Sequence, residues 1–457
     1  MRLSDYTQSG GRGLFRRDRR IFDQRGTFTF TIPEGVTQIW AFVMGAGGGA
    51  QTASNYDEGV LTGGAGGGYS SGIISGLTPG NTLTITVGAG GIGKVQADDG
   101  TTDATAGGDS TVVGGSTTYL QGEGGSAGNA QITGATNILG AKGEGKGGGG
   151  TAATSSVTDA YTAAGGGSGT TIITSAINET AGNHMTIAGG GGASGNPFGT
   201  GMNGGKIVFV YNAQVAGGGG GWTQKDFQHL TSTYQVPSLN SWSSIGSANR
   251  TLSMPGYGSH QPPSTFFYTH NAGNAITNSM WGGRGRTAQG GISVNECTID
   301  KVDDATGEGG DKFVQNYYEL MKNMHGEDVN PNWWFPWDID GGGGGAASQY
   351  ETQYMPFVGG NGASGGGGGG VSCQGTTSEG EFNAMMNAGQ GGFGGGGGAM
   401  MAQLEENEAA YFNADMVFVG GRGGNGGGGG ACVAPGGGGH HLGIGGEGGD
   451  GCVGLYW

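Results

Sequence analysis

Residues 27–49 read T-F-T-F-T-I-P-E-G-V-T-Q-I-W-A-F-V-M-G-A-G-G-G, and this stretch decides the fold. Its first six residues alternate polar and apolar, the period of a half-buried strand. Pro33-Glu34-Gly35 is a turn. Residues 37–44 form a second strand, with Ile39, Phe42 and Met44 among its apolar residues, and it runs without a break into Gly45-Ala46-Gly47-Gly48-Gly49. Working outward, residues 70–76 read as a third strand, and Pro79-Gly80-Asn81 is a turn before T-L-T-I-T-V at 82–87. Gly88-Ala89-Gly90-Gly91 follows, so strand and glycine run alternate again. Residues 206–211 give a further strand, and 450–457 a closing one. Short strands separated by turn signals predict a mainly β chain, an antiparallel β-sandwich with glycine-rich loops.

Glycine supplies 115 of the 457 residues. Collagen would need glycine at every third position and abundant proline. With 11 prolines and no strict triplet period, that class is excluded. A flexible linker is the second class. The third is an ordered fold in which nothing larger than glycine fits. A glycine run is a poor α-helix and a weak strand. The threefold polyproline II type of helix remains open to it. That helix has no internal hydrogen bonds, so its buried N–H and C=O groups must pair with neighbouring copies. The runs at 341–345, 365–370, 394–398 and 426–430 therefore predict a packed bundle of polyglycine II helices, in which a helix buried on all sides needs glycine throughout. Loose glycine loops are the alternative.

Four regions follow. Residues 1–25 are a basic, irregular N-terminal arm; 26–221 the glycine-rich β-sandwich; 222–340 an inserted Trp-rich subdomain; 341–457 the polyglycine bundle with its closing strand. The insert holds 13 glycines in 119 residues and six of the eight tryptophans, which sets it apart from its flanks. It has one helical pattern, at 311–324, where Phe313, Tyr317, Leu320, Met321 and Met324 share a face behind the N-cap Asp311. A short helical piece is expected at 399–411.

Net charge is −16, unevenly spread. The arm carries Arg2, Arg12, Arg16, Arg17, Arg19, Arg20 and Arg25 against Asp5, Asp18 and Asp23, a balance of +4 that leaves −20 for the remainder. An acidic body is a poor nucleic-acid binder. No apolar leader opens the sequence, and the longest apolar run, 207–211, is far short of the ~20 residues that span a bilayer. Neither nucleic-acid binding nor membrane insertion is expected. Cys297, Cys373, Cys432 and Cys452 form no C-x-x-C pair and read as free thiols, with two disulfides as the alternative.

The run Phe30-Thr31-Ile32-Pro33-Glu34-Gly35-Val36-Thr37, its following strand and Gly45-Ala46-Gly47-Gly48-Gly49 resemble the opening of the glycine-rich domains of phage tail and fibre proteins. The stretch Leu77-Thr78-Pro79-Gly80-Asn81, with the strand and Gly88-Ala89-Gly90-Gly91 after it, resembles their next hairpin. Gly107-Gly108-Asp109-Ser110-Thr111 and Gly448-Gly449-Asp450-Gly451 fit the same pattern. The polyglycine section resembles the polyglycine sandwich of T-even tail-fibre adhesins, and is more weakly similar to the glycine-rich region of the anaplastic lymphoma kinase receptor. The resemblance implies a structural virion protein of a tailed bacteriophage, a tail fibre, tip or appendage assembled in the host cytoplasm and contributing to host attachment. A dedicated adhesin for a host glycan or protein, and a non-phage extracellular surface protein, are the alternatives. The partners implied are other virion proteins, a host receptor and further copies of the chain.

No catalytic constellation is present: no G-x-S-x-G, H-E-x-x-H or Walker loop. The expectation is a non-enzyme without cofactor or metal. His440-His441 in a glycine loop reads as a metal site or an exposed tip. Asp300, Asp303, Asp304, Glu308 and Asp311 lack calcium-loop spacing and read as a solvated turn. Arg16, Arg17, Arg19 and Arg20 are candidates for docking on an acidic partner. Trp333, Trp334 and Trp337 are candidates for receptor contact, or the core of the insert.

Overall fold

The structure is a computed structural model. It describes residues 18–54, 59–97, 100–132, 146–167, 171–173, 186–197, 199–201, 204, 206–209, 214–216, 219–221, 233–234, 251–253, 268–269, 347–350, 361–362, 365, 367–374, 385–403, 416–434 and 441–457. Among the described residues every regular element is a strand.

Two antiparallel five-stranded sheets form the sandwich. One has the order Arg19–Phe22, Cys452–Tyr456, Gln38–Met44, Tyr69–Ser75, Val157–Ala163. The other runs Gly150–Ala152, Thr117–Gly122, Ser110–Gly114, Thr82–Val87, Gly26–Thr31. Phe30, Leu83, Ile85, Val112 and Leu120 of the second sheet meet Ile39, Val43, Ile74, Val453 and Leu455 of the first. The second sheet is wet on its outer face, so Gly26–Thr31 alternates and exposes Thr27, Thr29 and Thr31. The central strands of the first sheet are buried on both faces, so Gln38–Met44 is apolar almost throughout. Its outer face carries Trp40, Phe42, Met44, Tyr69 and Tyr456. There Trp40 meets Tyr456 edge-on at 5.2 Å, and Phe42 stacks on Tyr69 at 6.2 Å.

Sandwich strands continue directly into glycine runs, and these pack as threefold helices. In residues 45–51 every third N–H points at the same neighbour. Gly45, Gly48 and Gln51 donate to the carbonyls of Gly68, Ala65 and Thr62, at 2.8, 2.9 and 3.4 Å. Ala46 and Gly49 donate to Gly108 and Thr105, and Gly47 and Ala50 to Gly449 and Gly446. The carbonyls repeat the pattern toward three further runs. Ala46 and Gly49 accept from Gly125 and Gly128, Gly47 and Ala50 from Gly91 and Lys94, Gly48 and Gln51 from Gly429 and Cys432. Run 45–51 is thus surrounded by antiparallel donors' partners on three sides and parallel neighbours on the other three, with the threefold symmetry of the polyglycine II helix. A Cβ on Gly45, Gly47, Gly48 or Gly49 would come closer than 3.0 Å to a neighbour's backbone. The packed bundle is therefore the structure of the described runs. Glycine is not needed throughout, however: Ala46, Ala50 and Ala65 are fully buried in the same runs. The requirement holds only where the Cβ would face a neighbouring carbonyl.

The runs end, away from the sandwich, in short strands. One sheet is wholly parallel: Ala347–Tyr350, Val371–Gln374, Met400–Gln403, Cys432–Ala434, Thr52–Ser54. Met400–Gln403 overturns the helical reading of 399–411 over the described residues. A local helical preference is outweighed by ladders to strands on both sides. Met385–Asn387, Met416–Val419 and His441–Ile444 are likewise parallel, and Val95–Ala97 and Gly100–Thr102 complete their sheet antiparallel. In a third sheet Gly59–Leu61, Thr186–Ala188 and Gln214–Ala216 pair in parallel. Thr251–Ser253 and Tyr268–Thr269, from the 222–340 stretch, extend it. The helix expected at 311–324 lies outside the described residues.

The parallel order comes from a repeat. Met385–Asn387 leads into run 388–392, a turn at Phe393-Gly394, run 395–399 and Met400–Gln403. Met416–Val419, 420–424, Asn425-Gly426, 427–431 and Cys432–Ala434 repeat this path. The turns require glycine for its left-handed backbone, with φ 78° at Gly394 and 77° at Gly426.

Candidate functional site: the junction and the two poles

The Gly-Gly-Asp motifs lie where sandwich strands become polyglycine helices. There the backbone changes from ladder pairing to threefold pairing, and an N–H is left without a carbonyl. Asp450 fills one such gap, its Oδ1 accepting from Gly90 N at 2.8 Å. Asp109 fills another, accepting from Gly124 N at 2.8 Å and from Gln121 Nε2 at 2.9 Å. Ser110 Oγ accepts from Gly88 N, and Glu123 Oε2 from Gly149 N. Arg422 approaches Glu447 at 3.8 Å and Asp450 at 4.0 Å. These side chains act as caps, as an N-cap carboxylate does in an α-helix. Asp450→Ala should lower stability by about 1–2 kcal/mol and Asp450→Asn by less, since the amide oxygen still accepts. Thermal melts of the two variants check this.

The two ends of the described residues share the sandwich pole. Asp18 and Trp457 exchange backbone hydrogen bonds of 3.0 Å, and Arg19–Phe22 pairs with Cys452–Tyr456. The arm is therefore not irregular to residue 25: Phe22 is buried in the sandwich core, and that burial orders the backbone before it. Arg19 and Arg20 are exposed on this strand, with the Arg20 guanidinium 4.8 Å from the Phe22 ring centre. Arg16 and Arg17 lie outside the described residues, as do Trp333, Trp334, Trp337 and the Asp300–Asp311 acids. The structure thus brings together two of the four candidate arginines.

The opposite pole is defined by connectivity. Segments 55–58, 98–99, 174–185, 210–213, 375–384, 404–415 and 435–440 each join strands that lie there. His441 begins one of these strands, and His440 lies outside the described residues. Among the described residues no three His, Cys, Asp or Glu side chains are placed to hold a metal ion. Among them there is no helix long and apolar enough to cross a membrane.

Cys432 and Cys452 are free and buried. Burial pushes the Cys432 thiol up to about 12, against weaker lowering by backbone hydrogen bonds from Ile444 and Gly420. Burial, and then the charge of Asp23, pushes Cys452 well up too. Both thiols should resist maleimide in the native protein at pH 8 and react once it is unfolded. Above pH ~9 the unfolded chain loses these protons and the native one keeps them. Stability should be full below that pH and fall as pH climbs toward 12, as alkaline melts would show.

A search of curated proteins finds no match to the chain. Over residues 23–222, which hold most of the sandwich and its first glycine runs, the sequence matches the family described as glycine-rich domain.

Proposed function

We propose that this chain is a structural virion protein of a tailed bacteriophage, a fibre tip or appendage held at its sandwich pole and exposed to the host at the other. The observation that carries the reading is polarity. Both ends of the described chain meet at one pole, at Asp18 and Trp457, and the short, mostly parallel strands lie at the opposite one. A cross-bonded polyglycine layer lies between them and serves as the spacer. The strand and glycine motifs that resemble those of phage tail and fibre proteins support the same reading. Arg16, Arg17, Arg19 and Arg20 then dock on an acidic virion partner, because charged arms steer and orient association. A host receptor is the partner at the far pole.

Mass spectrometry of purified particles should find the chain at fixed stoichiometry. Deleting residues 1–17, which removes Arg16 and Arg17 and spares the Arg19–Phe22 strand, should leave the melting temperature unchanged and lower incorporation. Detection only in the lysate of infected cells sinks the virion reading. Normal incorporation of the truncated chain sinks the docking role of the arm.

A further inference from the structure

Two turns of the bundle have the same construction, and one of them holds an asparagine. Gly395 N donates to Gly392 O at 2.8 Å around Phe393-Gly394, and Gly427 N donates to Gly424 O at 2.7 Å around Asn425-Gly426. With a left-handed glycine at the third position, both are type II turns. Asparagine before glycine is prone to deamidation, because no side chain on the glycine hinders attack by its nitrogen. The Gly426 nitrogen bonds to Asn425 Cγ, the bond from Cγ to the amide nitrogen breaks, and that nitrogen leaves with the Gly426 proton as ammonia. Water then opens the cyclic imide to aspartate or isoaspartate. The folded bundle blocks the first step. Gly426 N–H is committed to Asp450 O at 2.8 Å, and Gly426 O accepts from Gly67 N at 2.7 Å. Gly426 itself is buried. The Asn425 amide is held from the other side, its Nδ2 donating to Asp23 O at 3.4 Å and to Gly451 O at 3.3 Å. The products do not fit the same place. A carboxylate at 425 only accepts hydrogen bonds and would face those two carbonyl oxygens. Isoaspartate would also add a methylene to the main chain between runs 420–424 and 427–431. Both runs are already fixed: Gly421 and Gly424 donate to Gly398 and Gly395, and Gly428 and Gly429 to Gly192 and Gly48.

We propose that Asn425 is a self-modification site gated by the packing of the bundle. While the runs are packed it stays asparagine. When the turn opens, Gly426 attacks it, and the modified chain cannot close again. The turn is thereby a one-way latch between the glycine runs and the sandwich, because Asp23 and Gly451 border the paired strands Arg19–Phe22 and Cys452–Tyr456.

The full-length chain provides the test. It is incubated in mildly alkaline buffer, once native and once unfolded in guanidinium, and peptides spanning residue 425 are weighed for the gain of one dalton that deamidation brings. The native chain should convert at least about tenfold more slowly than the unfolded one, since reaction then waits for local opening. A smaller difference would mean that the packed turn does not shield the pair, and would overturn the proposal. Asn425→Asp installs the carboxylate from the start and tests the second half. It should lower the melting temperature by several degrees, and failure of this variant to fold carries the same meaning as a large fall. If it melts together with the unaltered chain, the product fits the turn and the latch is refuted.

Discussion

Gly428→Val should prevent the chain from reaching its native state, and Gly428→Ala should destabilise it by about 2–6 kcal/mol. At an ordinary loop position glycine to alanine gains ~0.4–1 kcal/mol, because it restricts the unfolded chain. The packing at Gly428 reverses the sign. Its Cβ would fall closer than 3.0 Å to the Gly64 carbonyl, a backbone group that cannot rotate away. Gly428 N donates to Gly192 O at 2.8 Å, Gly397 N donates to Gly428 O at 2.9 Å, and Gly192 N donates to Gly64 O at 2.9 Å. Pushing the runs apart strands several of these groups, each at about 1–3 kcal/mol. Gly367, whose Cβ would strike the Gly219 carbonyl, should behave alike. Ala46→Gly is the control: Ala46 is buried where a Cβ already fits, so its loss should cost under about 1 kcal/mol. Thermal melts and protease resistance of the isolated protein read out the series. Stabilisation by Gly428→Ala and Gly367→Ala would mean that the runs are not packed against one another.

Removing residues 452–457 should leave a chain that does not fold. Val453, Leu455 and Tyr456 are fully buried, and each contributes roughly 1.5–3 kcal/mol. The strand also pairs with both neighbours, so its loss opens two ladders at once. The combined loss is comparable to the whole stability of a domain, about 5–15 kcal/mol. Run 45–51 adds to the effect, because two of its donors point at Gly446 and Gly449, just before the lost strand. The truncated chain should be insoluble or rapidly digested by protease, while deletion of 1–17 is silent in the same assay. A soluble, protease-resistant chain ending at residue 451 would refute the central role of the strand.

Much of the sandwich was legible in sequence because one sheet is wet on one face. Thr27, Thr29 and Thr31 face water and Phe30 faces the core, and that contrast is the alternation in the sequence. The closing strand was legible from its apolar residues after a glycine run. Of the strands of the far pole Lys206–Phe209 was legible, from its apolar run, but most of the others were not, because they have three or four residues, too few to show a period. Met400–Gln403 carries residues that favour a helix, and only its parallel partners make it a strand. The Arg19–Phe22 strand was hidden in a run of arginines. Its signal is the Ile21-Phe22 pair, which buries itself on the closing strand more than four hundred residues away in the chain.

Of the candidate site residues, the carboxylates of the Gly-Gly-Asp motifs were visible as a pattern but not as caps. Their role exists only because Gly90 and Gly124, distant or on another run, present an N–H at that point. The arginines were visible as a charge imbalance. Their placement beside the C-terminus depends on a strand pairing that no local signal announces.

The sequence by itself determined that the glycine runs could be neither α-helix nor ordinary strand. A backbone without Cβ atoms has polar groups on all sides, and these must find partners from other runs. It also determined which strands would be half-buried, through their period of two. Tertiary structure alone decided which run pairs with which. One glycine run is chemically the same as another, so nothing local tells Gly48 to donate to Ala65 and Gly49 to Thr105. That choice is made by the strands that flank the runs, whose side chains and ladders fix the position and direction of each run.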